Sequence, residues 1–411
     1  MATRARELLL DHLAVAERGA RGPAAAAARA AVGTATAADA ALVAGVASHS
    51  IELDDTYERA SLHPGVAVWP AVLAVADERA LTLGDVLAAG TRGYDVMCAL
   101  GDRLDPRETY RRGFHPTGVV GPLAAAAAVS RLLELDEERD RHAIGIATSM
   151  ASGLLAFLAD GAWTKPLHAG QAAANGVRAA LLAEAGFAGP ADAIDGRLGF
   201  LHAFGAISPA PPELSRGQGL ERTAVKHYSC CRYMHGCIDL LIALADEGVG
   251  PDDVEAVRCG VLSGGWDLVA EPKPIRGQVD AQFSMAFGAA LALTERRATL
   301  DDFERAGELA KSLEPLMAQV ECFRSGRLDA AYPGAWGAEV EVRLRDGRVL
   351  VRAEDHFLGS PERPASAADL CAKAATLLGE ERAAALAQAV LETPAGEPAS
   401  RVLADARSPV A

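Results

Sequence analysis

From residue 1 to about 225 the apolar residues, mostly Ala and Leu, recur at helical spacing, broken only by Gly and Pro, and period-two alternation is nearly absent. A stretch of this kind cannot supply a sheet, so it predicts a large all-helical domain over residues 1–224. The pattern changes over 225–365. Glu339 to Arg345 and Arg348 to Arg352 alternate on either side of Asp346-Gly347, the signature of a β-hairpin. Val254 to Leu262 reads as another strand, and 281–294 and 299–312 read as helices, which makes this segment a smaller α+β unit. Helical spacing returns at Ser366, so 366–411 is expected to complete the first domain. The fold class is therefore mainly α with a smaller α+β domain. Thr82 with Asp85, Thr299 with Asp302 and Ser366 with Asp369 have the spacing of capping boxes and mark helix starts.

Half of the 411 residues are apolar, enough to bury a large core in two domains. The net charge of −15, with basic residues scattered rather than gathered in a stripe, argues against nucleic acid and anionic membrane surfaces as partners. The first apolar run is too short for a signal-peptide core and no Ala-rich stretch is apolar enough to span a bilayer, so a cytoplasmic address is expected. Seven cysteines at irregular spacing suggest free thiols rather than a disulfide framework. Of 40 basic residues only five are lysine: Lys165, Lys226, Lys273, Lys311 and Lys373. In an Arg-rich chain, a lysine raises the question of what a compact, tunable ammonium does that Arg would not.

Two of those lysines sit in His-containing motifs. His49-Ser50-Ile51-Glu52-Leu53-Asp54-Asp55-Thr56 precedes His63-Pro64-Gly65, and Arg111-Arg112-Gly113-Phe114-His115-Pro116-Thr117-Gly118 repeats the same device, a His held by Pro at the mouth of a helix. A helix start offers free N–H groups to a substrate carboxylate, though Asp54 and Asp55 also serve as plain caps in such a setting. Two His-Pro elements in one helical domain favour acid/base roles over packing. Lys165-Pro166-Leu167-His168-Ala169-Gly170 places a lysine before a small-residue helix, suited to carboxylate capture or, equally, to a solvated surface. Lys226 to Cys237, at the expected domain boundary, holds His227, Cys230, Cys231, Arg232, His235 and Cys237. These are residue types that hold zinc, with His227, Cys230 or Cys231, His235 and Cys237 as candidate ligands, but the spacing matches no paired Cys-x-x-Cys arrangement and no metal is expected; buried apolar use of the thiols is the plain alternative. No dinucleotide fingerprint, Walker loop or Gly-x-Ser-x-Gly elbow is present in a suitable context.

Together with Asp280-Ala281-Gln282-Phe283-Ser284, these motifs in this order resemble the MmgE/PrpD family over about residues 5 to 390. The resemblance implies a helical domain with an α+β lid domain, usually a homodimer, and no cofactor. Family members include 2-methylcitrate dehydratases, cis-aconitate decarboxylases and iminodisuccinate epimerases, which share a carbanion-like centre beside a carboxylate and work without a metal. Carried over by motif, His115 is implied as general acid/base, His63 as a second proton or hydrogen-bond partner, and Lys165 and Lys226 as carboxylate clamps, with Asp54 beside them. Asp55, Thr56, Arg112, His168, Cys231, Arg232, His235 and Gln282 are implied as substrate-binding. Glu52 stands where decarboxylase-like members have Asp, Cys231 where they have His, and Phe287 where Tyr is frequent. The last two changes remove candidate proton donors. The expected function is dehydratase-type elimination from a small carboxylic acid by α-proton abstraction, with epimerisation or decarboxylation of a small di- or tricarboxylate as the alternative.

Overall fold

In the computed structural model, residues 2–205 and 214–402 are described. They form two compact units: one is built from 2–50, 54–224 and 365 onward, the other from 51–53 and 225–364. Residues 403–411, the end of the segment expected to complete the first domain, lie outside the described residues.

Among the described residues, the regular elements of the first unit are all helices. Its site-bearing framework is α1 (Ala2–Gly19), α2 (Ala37–His49), α3 (Pro64–Glu78), α4 (Leu83–Asp102), α5 (Pro116–Leu132) and α6 (Thr164–Glu184). Both α3 and α5 start at a Pro in the first helical position, where its missing N–H removes no intrahelical bond and its fixed φ suits the helix. α5 is the central helix: every residue from Val119 to Val129 is buried, and it packs against α3, α4 and α6. Its Ala-rich sequence is explained by that position, since a helix surrounded on all sides needs small side chains to let its neighbours approach. α2 and α6 meet closely at two glycines, where a Cβ on Gly45 would lie 2.6 Å from the Gly170 Cα.

The second unit carries α7 (Arg232–Asp246), α8 (Met285–Glu295) and α9 (Ala306–Met317) beside a four-stranded sheet. The strands are β1 (Val254–Val261), β2 (Val320–Arg324), β3 (Ala338–Leu344) and β4 (Val349–Glu354), in the order β2-β1-β3-β4. β1 pairs parallel with β2, bringing Cys259 opposite Cys322, and antiparallel with β3, bringing Val257 opposite Val342. The hairpin expected around Asp346-Gly347 is β3–β4; the Leu344 N–H donates to the Arg348 carbonyl at 2.9 Å, and Gly347 takes a φ of 90°, the left-handed position of a three-residue loop. β2 was not foreseen, because five residues following directly on a helix carry too short an alternation to register. On edge strand β4, Val349 and Val351 face outward, 50% and 61% exposed.

The chain then returns to the first unit through α10 (Ala367–Leu378) and α11 (Glu380–Glu392), both packed on α1. A buried ion pair, Lys373 Nζ to Asp11 Oδ1 at 2.6 Å, joins α10 to α1. All three expected capping boxes form, at Thr82, Thr299 and Ser366. No described helix is long and apolar enough to cross a membrane.

Candidate active site

Three histidines meet where α2 ends and α3 and α5 begin. His49 is the last residue of α2, and His63 and His115 occupy the positions just before Pro64 and Pro116. The His63 N–H donates to Thr117 Oγ1 at 3.1 Å, joining the two His-Pro elements, and the His115 N–H donates to the Gly153 carbonyl at 3.0 Å, which anchors the second element from the other side. The His49 and His115 rings stack with centroids 5.7 Å apart and planes 11° apart, and the His49 and His63 rings lie 4.8 Å apart. His168, from the first turns of α6, extends the row, its Nδ1 3.3 Å from that of His115.

Asp54 sits at the centre of this arrangement. Its Oδ2 lies 3.0 Å from His49 Nδ1 and 2.9 Å from His63 Nδ1. The His63 Nδ1 also faces the Asp55 carbonyl oxygen at 2.8 Å. Because a carbonyl only accepts, that nitrogen carries the proton and the His63 Nε2 is the basic one. Burial pushes the His49 imidazole down to about 4, with Asp54 pulling the other way, and it pushes His115 well below the ordinary histidine range, an effect to which His49, Lys165, His168 and His63 add. Burial, then Lys165, takes His168 to about 4. At neutral pH His49, His115 and His168 are therefore neutral imidazoles, hence bases. Lys165 is buried at the start of α6.

Asp55 and Thr56 belong to the scaffold of the same loop. The Asp55 carboxylate accepts from the Gly65 N–H at 2.8 Å and from the Tyr94 hydroxyl, which in turn accepts from Trp69 Nε1 at 2.9 Å. Burial pushes Asp55 up to about 7, against the lowering effect of those two donors. Gly65 is required here, because a Cβ would sit 2.8 Å from the Tyr94 hydroxyl. Thr56 exchanges backbone hydrogen bonds with Ala224, at 2.9 and 2.8 Å, closing the loop. Arg112, expected at the substrate, is exposed and holds Glu108 and the Ala203 carbonyl, both at 2.6 Å.

The remaining expected residues lie in the second unit. Lys226 is fully buried and pairs with Glu52 at 3.1 Å, and Glu52 adopts the left-handed φ of 55° that non-glycine residues seldom take. The Cys231 N–H donates to the Gln282 carbonyl at 2.9 Å, and Gln282 Nε2 donates to Ser229 Oγ and the Ile51 carbonyl. Arg232, 4.4 Å above the Phe357 ring, donates to His235 Nδ1 at 3.3 Å, and His235 Nε2–H donates to the Cys230 carbonyl at 3.3 Å. Burial raises the Cys230 thiol well above its ordinary range, which disfavours a thiolate.

Among the described residues, one group of three could hold a metal ion, His49, His63 and His115, whose ligand atoms lie within 4.8 Å of one another. The Cys/His motif at 227–237 forms no such group. Lys165 and the N-termini of α3 and α5 lend the histidine cluster positive character, which suits a carboxylate better than a cation. The role of His49 is not legible in its motif, since a partner five residues away across a turn follows no helical period. Tyr94 had no signal at all: it is one aromatic on a core helix.

Comparison with known proteins agrees with this picture. Residues 1–211 match the MmgE/PrpD N-terminal domain and residues 228–393 the MmgE/PrpD C-terminal domain. The cis-aconitate decarboxylase of Homo sapiens is 30% identical over 345 residues, covering 80% of this chain and 70% of that protein. That of Mus musculus is 28% identical over 346 residues, with the same coverage of 80% and 70%. The cis-aconitate decarboxylase-like protein oryM of Aspergillus oryzae is 29% identical over 340 residues, covering 76% and 69%. This chain belongs to the MmgE/PrpD family.

Proposed function

We propose that the protein is a lyase that removes a proton from carbon beside a carboxylate of a small di- or tricarboxylic acid and then expels a β-leaving group, water in the first instance. The observation that carries this reading is the cluster of buried His49, His63 and His115 with half-buried His168, whose shifted members are held in the neutral, basic form next to Lys165. An α-proton becomes removable only when the developing enolate charge meets prearranged cations and donors. The Lys165 ammonium and the first-turn N–H groups of α3 and α5 supply them. His115, between His49 and His168, is assigned as the principal base and His63 as its partner. The proton chemistry is assigned to side chains alone. Within the second unit, Lys226, held by Glu52, is assigned to carboxylate binding.

The relatives favour a second reading, decarboxylation of cis-aconitate, because they carry that name. Decarboxylation starts from loss of CO2 and needs a donor to protonate the carbanion, whereas neutral imidazoles in a dry site are better placed to begin by taking a proton. A proton NMR time course in deuterated buffer with 2-methylcitrate, citrate, cis-aconitate and iminodisuccinate separates the two. New vinyl signals from a hydroxy acid support elimination, and conversion of cis-aconitate with release of CO2 replaces it by decarboxylation. Exchange of the α-proton with the carbon skeleton intact would mean an epimerase. His115→Ala is expected to abolish turnover with the far-UV spectrum unchanged; retained turnover removes His115 from its role.

A further inference from the structure

His49 is the most completely enclosed of the clustered histidines, its side chain 0% exposed. Its Nδ1 faces Asp54, and its Nε2 is buried with no hydrogen-bond partner among the described residues. An orphaned polar atom in a dry interior is costly and calls for a reason. Packing does not provide one, because an apolar ring would stack on His115 equally well. The shared carboxylate does provide one. Asp54 Oδ2 touches the Nδ1 of both His49 and His63, so an ionised Asp54 accepts from both and leaves each ring with a basic Nε2.

Resting on the reading of this cluster as the base of the reaction, we propose that His49 is part of the proton-transfer machinery, forming with His63 a pair that holds one proton over the single carboxylate of Asp54. When the substrate C–H bond breaks, its electron pair stays on carbon and the proton adds to an Nε2 lone pair. The Asp54 charge balances the imidazolium whichever ring carries it. The other charged or titratable groups acting on His49 and Asp54 include Lys165 on α6, His115 before α5, His12 and Asp11 on α1, and the neighbouring Asp55, whose carboxyl is turned to the Gly65 N–H and the Tyr94 hydroxyl rather than to either ring. Asp11 is already committed to Lys373. The pair therefore takes up one proton as a unit. Asp54 is a positioning residue here, fixing the tautomer of both rings.

The test combines a spectroscopic reading on the substrate-free, full-length protein with a kinetic one. With nitrogen-labelled histidine, the His49 signal, identified by its absence in His49→Asn, should show a protonated Nδ1 and an unprotonated Nε2 at neutral pH. On acidification, the His49 and His63 signals should move together with an uptake of one proton. A protonated Nε2 on His49, or two separate uptakes, overturns the inference, and neither result depends on knowing the substrate. His49→Asn keeps an N–H for Asp54 and removes the basic nitrogen. Its kcat should fall roughly 100-fold, as for loss of a general base, with KM within about twofold and the pH profile displaced. Wild-type kinetics in that variant would show His49 to be structural and sink the proposal. Should the variant fail to fold, the tautomer and proton uptake of the unaltered chain decide.

Discussion

Replacing Tyr94 by Phe tests how the loop that carries Asp54 is held. The Tyr94 hydroxyl donates to Asp55 and accepts from Trp69 Nε1, and all three side chains are buried. Phe keeps the ring and its packing but strands the indole N–H and one carboxyl oxygen. Each stranded group costs about 1–3 kcal/mol, so a loss of roughly 4 kcal/mol is expected. The pH dependence makes the prediction specific. Burial raises Asp55 from 3.8 to about 7, and the Tyr94 bond opposes that rise. A carboxyl raised in the folded state contributes stability that is fully present below the unfolded value of 3.8 and is lost as pH rises towards about 7. Without the phenol the folded value moves above 7, so the loss continues to higher pH. Chemical denaturation of both proteins at pH 5 and pH 8 should therefore show a larger deficit for Tyr94→Phe at pH 8. Equal deficits at the two pH values, or a deficit below about 1 kcal/mol, would refute the reasoning.

Other substitutions probe other parts of the molecule. Gly170→Ala would place its Cβ 2.3 Å from the Leu42 carbonyl oxygen, so α2 and α6 must separate; a loss of several kcal/mol, about 3 or more, is expected in thermal melts, together with reduced activity because α2 ends in His49. Glu52→Ala takes away the carboxylate facing Lys226 and should cost about 3–5 kcal/mol, whereas Glu52→Leu with Lys226→Met should recover most of that stability, as read by denaturant midpoints, while losing substrate affinity. In the native protein a thiol reagent should modify Cys322 and Cys371, which are half-buried, well before the five buried cysteines, which should react only on unfolding; rapid native labelling of Cys230 would contradict its enclosed setting.

How much of this was legible in the sequence depends on the range of the interaction. Helical spacing in the first unit, the three capping boxes and the Asp346-Gly347 hairpin are local patterns, each set by residues a few positions apart, and each is found where the pattern places it. β2 escaped because what makes it a strand is its pairing with β1, some 60 residues earlier, more than its own five residues. Within the site, the His-Pro elements and the lysines stand out as chemistry in an Ala-rich background, so the sequence identified what was present. It could not say what each group faces. The carboxylates of the adjacent Asp54 and Asp55 point to different partners, one to two imidazoles and the other to a helix start and a phenol. Arg112, two residues before Phe114 in a site motif, turns outward to Glu108. The sequence alone determined the helical class, the caps and the inventory of acids, bases and ammonium groups, since these follow from residue type and short spacing. Only the tertiary structure decided which histidine shares a carboxylate and which ring is left with an unpartnered nitrogen, because burial and hydrogen bonding, which set proton affinity, arise from helices brought together across more than a hundred residues of chain.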